Sequence, residues 1–237
     1  MRIQFQFSIK KLPLAYRLGI LSILKEMLKT GSSAYYDKLF RKDSRNMKPF
    51  SFATYIRGLK IDRELIYGDS LHVTVSSPSY ELIMHLMNGS ERNQTYQYKD
   101  YIFELKRKNL LPKPPTFSNN VLFKTLSPLL IEDNAQIPLL STDSNFEREF
   151  NYYANLLVEE IYQRPLMQPI AILDTSMKKV VIKENLHQQE ERPLYLTGNE
   201  GLIQLQGHRE DLQAIYDSGV GRRRSLGFGL LEVEGVN

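Results

Sequence analysis

The hydrophobic pattern in the first half of the chain predicts a strand, two helices, two strands, a helix and a last strand. Apolar residues at every second position between residues 2 and 9 predict a half-buried strand. Leucines then recur at helical spacing from Pro13 to Lys29, with Pro13 in the first turn and Gly31 just past the end. The remaining predicted elements are a short helix at 32–42, strands at 50–56 and 71–75, a helix at 79–88 and an aromatic strand at 96–103.

This β-α-α-β-β-α-β order is that of a ferredoxin-like split βαβ domain with one additional helix. Pro112, Pro114 and Pro115 then form a stiff linker. We therefore predict two domains, residues 1–111 and residues 112–237. In the second domain the pattern predicts strands at 121–125, 129–131, 169–173, 178–183, 201–206 and 226–234, and helices at 146–163 and 209–218.

The composition is that of an ordinary globular protein, and it narrows the chemistry. The 237 residues are 42% hydrophobic and include no cysteine, which excludes disulfides and thiolate metal sites. The four histidines lack a metal-ligand spacing, so no metal or cofactor is predicted. No apolar run suits a membrane span or a signal peptide, so a cytoplasmic protein that does not bind membranes is expected. The net charge of +4 favours a polyanionic partner only slightly.

Residues 217–235 hold the most informative motif of the sequence. Between residues 219 and 229, two Gly-x-Gly pairs flank three consecutive arginines, in a segment that joins a predicted helix to a predicted strand. Glycines would let backbone N–H groups approach a phosphate, and guanidinium groups add bidentate phosphate donors. The alternative is a tight helix–strand turn with a solvated basic tip. The predicted phosphate contacts are Gly219, Gly221, Arg222, Arg223, Arg224, Ser225, Gly227 and Gly229.

Three segments resemble motifs of the Cas6 family of CRISPR-associated endoribonucleases, which belongs to the RAMP superfamily. Residues 218–233 are similar to the family's C-terminal glycine-rich signature. Residues 125–128 are similar to the threonine-leucine-serine-proline step that opens its second half, and residues 48–52 to the start of its second strand. The predicted order of elements matches along essentially the whole chain.

The resemblance implies an α+β fold of two tandem ferredoxin-like domains, with antiparallel sheets and helices packed on one face. It also implies binding of CRISPR repeat RNA and metal-independent cleavage within each repeat. In that reaction the ribose 2′-OH attacks the adjacent phosphate and leaves a 2′,3′-cyclic phosphate and a 5′-OH. The eight loop residues named above are then expected to contact RNA. Two further partners stay open: a CRISPR effector complex and, in a homodimer, a second copy of the chain.

The reaction needs a base, an acid and cations around the phosphorane. Many family members carry a histidine in the segment that corresponds to residues 35–48, but this sequence has none there, and Phe40 stands at about that position. Lys48 matches the family's lysine before the Pro-Phe step and is expected to stabilise the phosphate or the transition state. The alternative is a solvated basic surface with one tyrosine in the core. The predicted catalytic residues are Lys48, Tyr35, Tyr36, Lys38 and Lys42, and Arg41 and Arg45 are predicted RNA contacts.

The four histidines lie outside that segment. His187 lies in a polar loop and is predicted to contact RNA. His72 is expected to be an exposed strand residue, and His85 a structural residue of a helix. His208 is expected to cap the helix that leads to the glycine-rich segment.

Two functions from different classes follow from these residues. The first is an endoribonuclease that processes CRISPR repeat RNA with an active site that lacks histidine. The second is a non-cleaving subunit that binds repeat RNA and holds or delivers guide RNA to an effector complex. The absent histidine favours the second function, whereas the arginine-rich segment supports both. A third hypothesis is a structural RAMP subunit of the effector.

Overall fold

The computed structural model describes residues 1–41, 47–113, 117–185 and 193–236. Its first half contains eight strands and three helices within these ranges. They are β1 (Arg2–Ser8), β2 (Lys11–Pro13), α1 (Arg17–Gly31), α2 (Ser33–Leu39), β3 (Ser51–Arg57), β4 (Lys60–Asp62), β5 (Leu65–Tyr67), β6 (Ser70–Ser76), α3 (Tyr80–Arg92), β7 (Thr95–Tyr98) and β8 (Tyr101–Leu110).

Five strands of the first half form one antiparallel sheet in the order β3-β6-β1-β8-β7. Without the terminal hairpin strand β7, this is the strand order of a ferredoxin-like domain. Ile3, Phe5 and Phe7 alternate with polar residues along β1 and are fully buried in a core shared with α1 and α3. Strands β2, β5 and β4 make a small separate sheet.

The second half repeats the same topology. Its elements are β9 (Asn120–Thr125), α4 (Phe146–Tyr162), β10 (Ala171–Glu184), β11 (Leu194–Gln206), α5 (Arg209–Ser218), a 3-10 turn (Arg224–Leu226) and β12 (Leu231–Val236). The antiparallel sheet has the order β10-β11-β9-β12, and its core includes Phe123, Phe150 and Leu212. The chain is therefore an α+β protein with two tandem ferredoxin-like folds, as predicted. The boundary at residues 111 and 112 stays a prediction.

Several predicted elements differ in their bounds. Pro13 does not open α1 but ends β2, where it lies opposite Leu65 of β5. Gly31 is the last residue of α1, at a point where a Cβ atom would stand 2.1 Å from the His85 carbonyl oxygen. Gly31 therefore serves the close approach of α1 and α3. The pattern of residues within α1 cannot reveal this contact, because α3 lies about fifty residues further along the chain.

Other differences concern strands. The aromatic strand predicted at 96–103 is the hairpin of β7 and β8, which turns at Lys99 with a positive φ of 52°. The strands predicted at 169–173 and 178–183 are one strand, β10, whereas residues 129–131 make only an isolated bridge between Leu129 and Asn199. The last strand begins at Leu231 rather than at residue 226, because the 3-10 turn occupies the preceding segment.

A buried arginine joins the two halves. The Arg2 side chain extends from β1 and donates to the carbonyl oxygens of Tyr216 and Leu231, at 2.8 and 2.5 Å, and to the Glu232 carboxylate at 2.8 Å. It also donates to the Ser76 hydroxyl, and its guanidinium carbon lies 3.5 Å from the centre of the Tyr216 ring. Arg2 is only 3% exposed. This network fixes the end of α5 and the start of β12 against the first sheet.

Candidate nucleic-acid interface

The glycine-rich segment between α5 and β12 packs tightly against the first half of the chain. Gly227 has a φ of 84°, and a Cβ atom there would lie 2.5 Å from the Phe52 ring. Gly229 has a φ of 69°, and a Cβ atom there would lie 1.9 Å from the Val220 carbonyl oxygen. Both positions exclude any other residue, because the left-handed backbone and the close contact act together.

Three of the glycine N–H groups bond within the protein. The N–H groups of Gly219, Gly227 and Gly229 donate to the carbonyl oxygens of Ile215, Arg224 and Pro128. These bonds hold the segment in shape, and RNA contact by these glycines stays a prediction. Gly221 also serves packing, because a Cβ atom there would lie 2.5 Å from the Leu130 carbonyl oxygen.

The three arginines of this segment point to different surroundings. Arg224 is 5% exposed and donates to the carbonyl oxygens of Ser218 and Lys48 at 2.7 and 3.2 Å. Burial lowers the pKa of its guanidinium to about 10. These two bonds give Arg224 a structural role, and its contact with RNA stays a prediction.

Arg222 and Arg223 are better placed to meet an anion. Arg222 forms an ion pair with Glu132 and keeps about a third of its side chain exposed. Arg223 has a left-handed backbone with a φ of 58°, and its buried Nε has no hydrogen-bond partner among the described residues. Burial, and then repulsion from Arg222, lower the pKa of Arg223. An anion bound there would satisfy the free donor and relieve this repulsion. Ser225 is half-buried beside them.

The two tyrosines of α2 face opposite ways. The Tyr35 ring packs on the His85 ring, with centroids 4.9 Å apart, and its hydroxyl lies 3.3 Å from the Ser79 hydroxyl. Burial raises the pKa of Tyr35, which makes it a still weaker base at neutral pH. Tyr35 thus packs against α3, and its catalytic role stays a prediction. Tyr36 lies on the other side, with its ring centroid 5.1 Å from that of Phe40.

Lysines surround this second pair of rings. Lys25 Nζ lies 4.7 Å and Lys48 Nζ 5.6 Å from the centre of the Phe40 ring, and Lys29 Nζ lies 5.9 Å from the centre of the Tyr36 ring. We call these five residues the lysine–aromatic cluster. Lys48 also donates to the Leu39 carbonyl oxygen. Lys25 and Lys29 come from α1 and were missed in the sequence. The available sequence signal was the spacing of four residues between Lys25 and Lys29, which places both on the same side of α1.

The lysine–aromatic cluster holds two ammonium groups with altered acidity. Burial lowers the pKa of Lys25. Burial and, second, repulsion from Lys25 lower the pKa of Lys48. An ammonium group with a lowered pKa can act as a proton donor or, when neutral, as a proton acceptor nearer to neutral pH. The site thus brings several cationic side chains together without a histidine.

The three motifs noted in the sequence meet at one place. The Lys48 carbonyl oxygen accepts a hydrogen bond from the Arg224 guanidinium, and the Ser51 hydroxyl donates to the Phe228 carbonyl oxygen at 2.8 Å. The Ser127 hydroxyl accepts from the Leu230 N–H at 3.0 Å. The glycine-rich segment is therefore bonded to residues 48–52 on one side and to residues 125–128 on the other.

The remaining predicted residues are partly described by the structure and partly outside the described ranges. Lys38 and Arg41 are exposed. The predictions for Lys42, Arg45 and His187 fall outside the residues that the structure describes. His208 caps α5 as predicted, since its Nδ1 accepts from the Glu210 N–H at 3.3 Å. His85 packs on Tyr35, and His72 is half-buried on β6.

The described residues contain no group of three or more His, Cys, Asp or Glu side chains that could hold a metal ion. None of the helices in the described ranges is both long and apolar enough to cross a membrane.

The fold consists of two tandem ferredoxin-like halves that the glycine-rich segment joins. The chain belongs to the Cas6 family: residues 111–233 match the family model for the C-terminal part of the CRISPR associated protein Cas6. No curated protein sequence matches this chain.

Solved structures agree with this family in fold. A Cas6-related protein from Pyrococcus furiosus has a TM-score of 0.83 at 19% identity, with 98% of each chain covered. A RAMP protein described as binding different RNA substrates has a TM-score of 0.82 at 18% identity, covering 99% of this chain and 100% of its own. A Cas6 product complex has a TM-score of 0.69 at 13% identity, with 98% of each chain covered.

Proposed function

We propose that the protein binds CRISPR repeat RNA and cleaves it without a metal ion, using lysines where family members carry a histidine. The observation that carries this proposal is the pair Lys25 and Lys48, whose ammonium groups flank the Phe40 ring and have lowered pKa values. Lys48 is bonded through its carbonyl oxygen to Arg224 of the glycine-rich segment, so the proposed catalytic and RNA-binding residues are neighbours.

The chemistry fits this pair. The 2′-oxygen attacks phosphorus and loses its proton, while the bond from phosphorus to the 5′-oxygen breaks and that oxygen gains a proton. A neutral lysine can take the first proton and a protonated one can supply the second. The second ammonium group also stabilises the charge of the phosphorane. We assign Lys48 to the phosphorane and Lys25 to proton transfer, with Tyr36 and Lys29 close enough to hold the RNA backbone. Contact of the exposed Lys38 with the RNA stays a prediction.

The RNA partner is supported by the relatives. One structural neighbour binds different RNA substrates, and another is a Cas6 product complex. At 18% and 13% identity they share the fold alone with this chain, so its own RNA partner is inferred from family membership and from Arg222 and Arg223. A cytoplasmic location, binding to an effector complex and a homodimer stay predictions.

Incubation of the pure protein with its cognate repeat RNA in EDTA tests the proposal. With enzyme in excess, we expect cleavage once per repeat, with products that end in a 2′,3′-cyclic phosphate and a 5′-OH. Acid treatment that opens the cyclic phosphate, followed by separation on a gel, identifies the ends. RNA that is bound but stays whole would contradict the proposal.

The second candidate function is a non-cleaving subunit that binds repeat RNA. It is favoured by the lack of a histidine in residues 35–41 and 47–48, and by Phe40, which cannot transfer protons. The same EDTA experiment separates the two functions, because binding without cleavage is the result that this candidate requires.

Removal of Arg222 and Arg223 together should weaken RNA binding by about tenfold or more. Each guanidinium that contacts a phosphate contributes to the salt dependence, by about 0.7 in the slope of log affinity against log salt for single strands. We therefore expect Arg222→Ala with Arg223→Ala to make this slope shallower by about 1.4. The control is Lys178→Ala with Lys179→Ala. These substitutions remove the same amount of charge from two exposed lysines on β10. Equal effects of both pairs would contradict the assignment.

A further inference from the structure

Part of one face of the first sheet is exposed to solvent, while the end of the same face that carries Arg2, Ser51 and Ser76 is buried. Along β1, Phe5 and Phe7 point into the core with α1 and α3, so Gln6 points to the opposite face. The same alternation places Tyr55 of β3 on that outer face, where it is 65% exposed. We call this side of the sheet the outer face of the first half. It is separate from the lysine–aromatic cluster, whose residues lie on α1, α2 and the segment before β3.

Four side chains of the outer face lie in one row across the sheet. Tyr55 pairs with His72, His72 pairs with Gln6, and Gln6 pairs with Arg107. The row thus crosses β3, β6, β1 and β8. Three strand spacings of about 4.8 Å give it a length of about 14 Å. The Tyr55 and His72 rings are 5.9 Å apart between centroids and tilted by 55°.

The charge of the outer face is positive beside this row. Arg107 ends the row, and Arg57 lies two residues beyond Tyr55 on the same side of β3, opposite Ser70. Within the described ranges neither Arg57 nor Arg107 has an ion-pair partner. The carboxylate on this face, Glu104, is already paired with Lys106 at 2.7 Å. An anionic partner is therefore favoured.

We propose that this row is a second RNA-binding site, which holds a single-stranded segment by stacking bases on Tyr55 and His72. RNA-binding sheets of this topology use aromatic side chains on the open face to stack two or three bases. Arg57 and Arg107 would then lie beside the backbone, and the Gln6 amide would offer hydrogen bonds to a base edge. The Ser70 hydroxyl, 3.1 Å from His72 Nε2, orients the imidazole.

Single-stranded RNA suits this surface better than a protein partner does. Among the described residues of β3 and β8, only Tyr55 and Ile102 are large, exposed apolar side chains on the outer face. The rest of the row is polar or cationic, whereas the centre of a protein interface is depleted of charged residues. The identity of the ligand as RNA rests on the proposed function, but the site does not depend on cleavage.

The test uses a ten-nucleotide oligouridylate, which is unrelated to a repeat, and the full chain. Base stacking contributes about 1–3 kcal/mol per base, so Tyr55→Ala should weaken binding by about five- to 150-fold. Tyr55→Phe keeps the ring and should bind within about twofold of the parent. The matched control is Tyr152→Ala, which removes a 55% exposed tyrosine from α4 and should change nothing.

Two further measurements separate this site from the proposed cleavage site. Lys25→Ala with Lys48→Ala, which should slow cleavage of repeat RNA, should leave the oligouridylate affinity within about twofold of the parent, because the row lies on the other face of the sheet. An oligouridylate that carries 4-thiouridine should crosslink to peptides containing Tyr55 or His72. Equal affinity of Tyr55→Ala and the parent, or crosslinks only elsewhere, would overturn the proposal. A protein that cleaves nothing but shows the Tyr55 effect would overturn the proposed function alone.

Discussion

Replacing Lys25 and Lys48 together with alanine is expected to slow cleavage of bound repeat RNA by about a thousandfold or more. Proton transfer by a positioned side chain contributes about 10²–10⁴, and stabilisation of the developing charge about 10²–10³. Because the Arg222 and Arg223 side chains remain, repeat affinity should change by less than about tenfold. Single-turnover rates with enzyme in excess measure the first effect, and filter binding measures the second.

Two variants sharpen this experiment. Lys48→Arg keeps a cation but cannot release a proton near neutral pH, so it should keep much of the rate if Lys48 only stabilises the phosphorane. The control is Lys60→Ala with Lys179→Ala, which removes two exposed lysines on β4 and β10 that are not members of the cluster. A double variant of Lys25 and Lys48 that cleaves within about threefold of the parent would contradict the assigned site.

The pH profile gives an independent check on the same cluster. Since repulsion from Lys25 lowers the pKa of Lys48, removal of Lys25 should raise the pKa of Lys48 toward its ordinary value. In the parent, the fraction of neutral Lys25 grows as the pH rises toward its lowered pKa, so the rate should rise until Lys48 loses its charge. In Lys25→Ala, the fall in rate that marks the loss of charge on Lys48 should shift to higher pH. An unchanged profile would show that the two groups are not coupled.

The second large effect concerns stability. Arg2→Ala is expected to lower the free energy of unfolding by about 3–5 kcal/mol, as when one partner of a buried charged network is removed. The carbonyl oxygens of Tyr216 and Leu231 and the Ser76 hydroxyl would lose their donor in a buried region. Urea unfolding followed by circular dichroism measures the change.

A matched control uses an exposed ion pair in the same sheet. Lys106→Met breaks the pair with Glu104, in which both side chains are about half exposed, and should lower the free energy of unfolding far less than Arg2→Ala does. Glu232→Gln should also lower the free energy of unfolding less than Arg2→Ala does. Glu232 is partly exposed, so water can reach the Arg2 donor that loses the carboxylate. A loss below about 1 kcal/mol in Arg2→Ala would contradict the role of Arg2 as the buried link between the halves.

Most elements of the fold could be predicted because their local signals are strong. The alternation along β1, the leucine spacing of α1 and the aromatic spacing of α4 each report a buried face within one segment. The N-terminal caps Ser32 and His208 are local as well. The errors fell where a distant partner decides the outcome. Pro13 pairs with β5, and residues 129–131 lie against Asn199 instead of forming a strand.

The candidate site was predicted only in part, for the same reason. Lys48 and Tyr36 were found in one segment, but Lys25 and Lys29 approach them from α1, and only the packing of α2 on α1 shows it. Tyr35 and Tyr36 are indistinguishable in sequence, yet one packs on His85 and the other on Phe40. Which tyrosine faces the core depends on the rotation of α2 about its axis. Because α2 is short, tertiary contacts decide this rotation.

The sequence by itself determined the family, the doubled ferredoxin-like topology and the existence of a glycine- and arginine-rich segment before the last strand. These depend on patterns between residues that are neighbours along the chain. The tertiary structure decided what the members of that segment do. Its glycines permit close packing on β3, Arg224 holds main-chain oxygens of both halves, and Arg222 and Arg223 remain near the surface. Three identical side chains in a row acquire different roles because burial and partners, which come from distant segments, differ at each position.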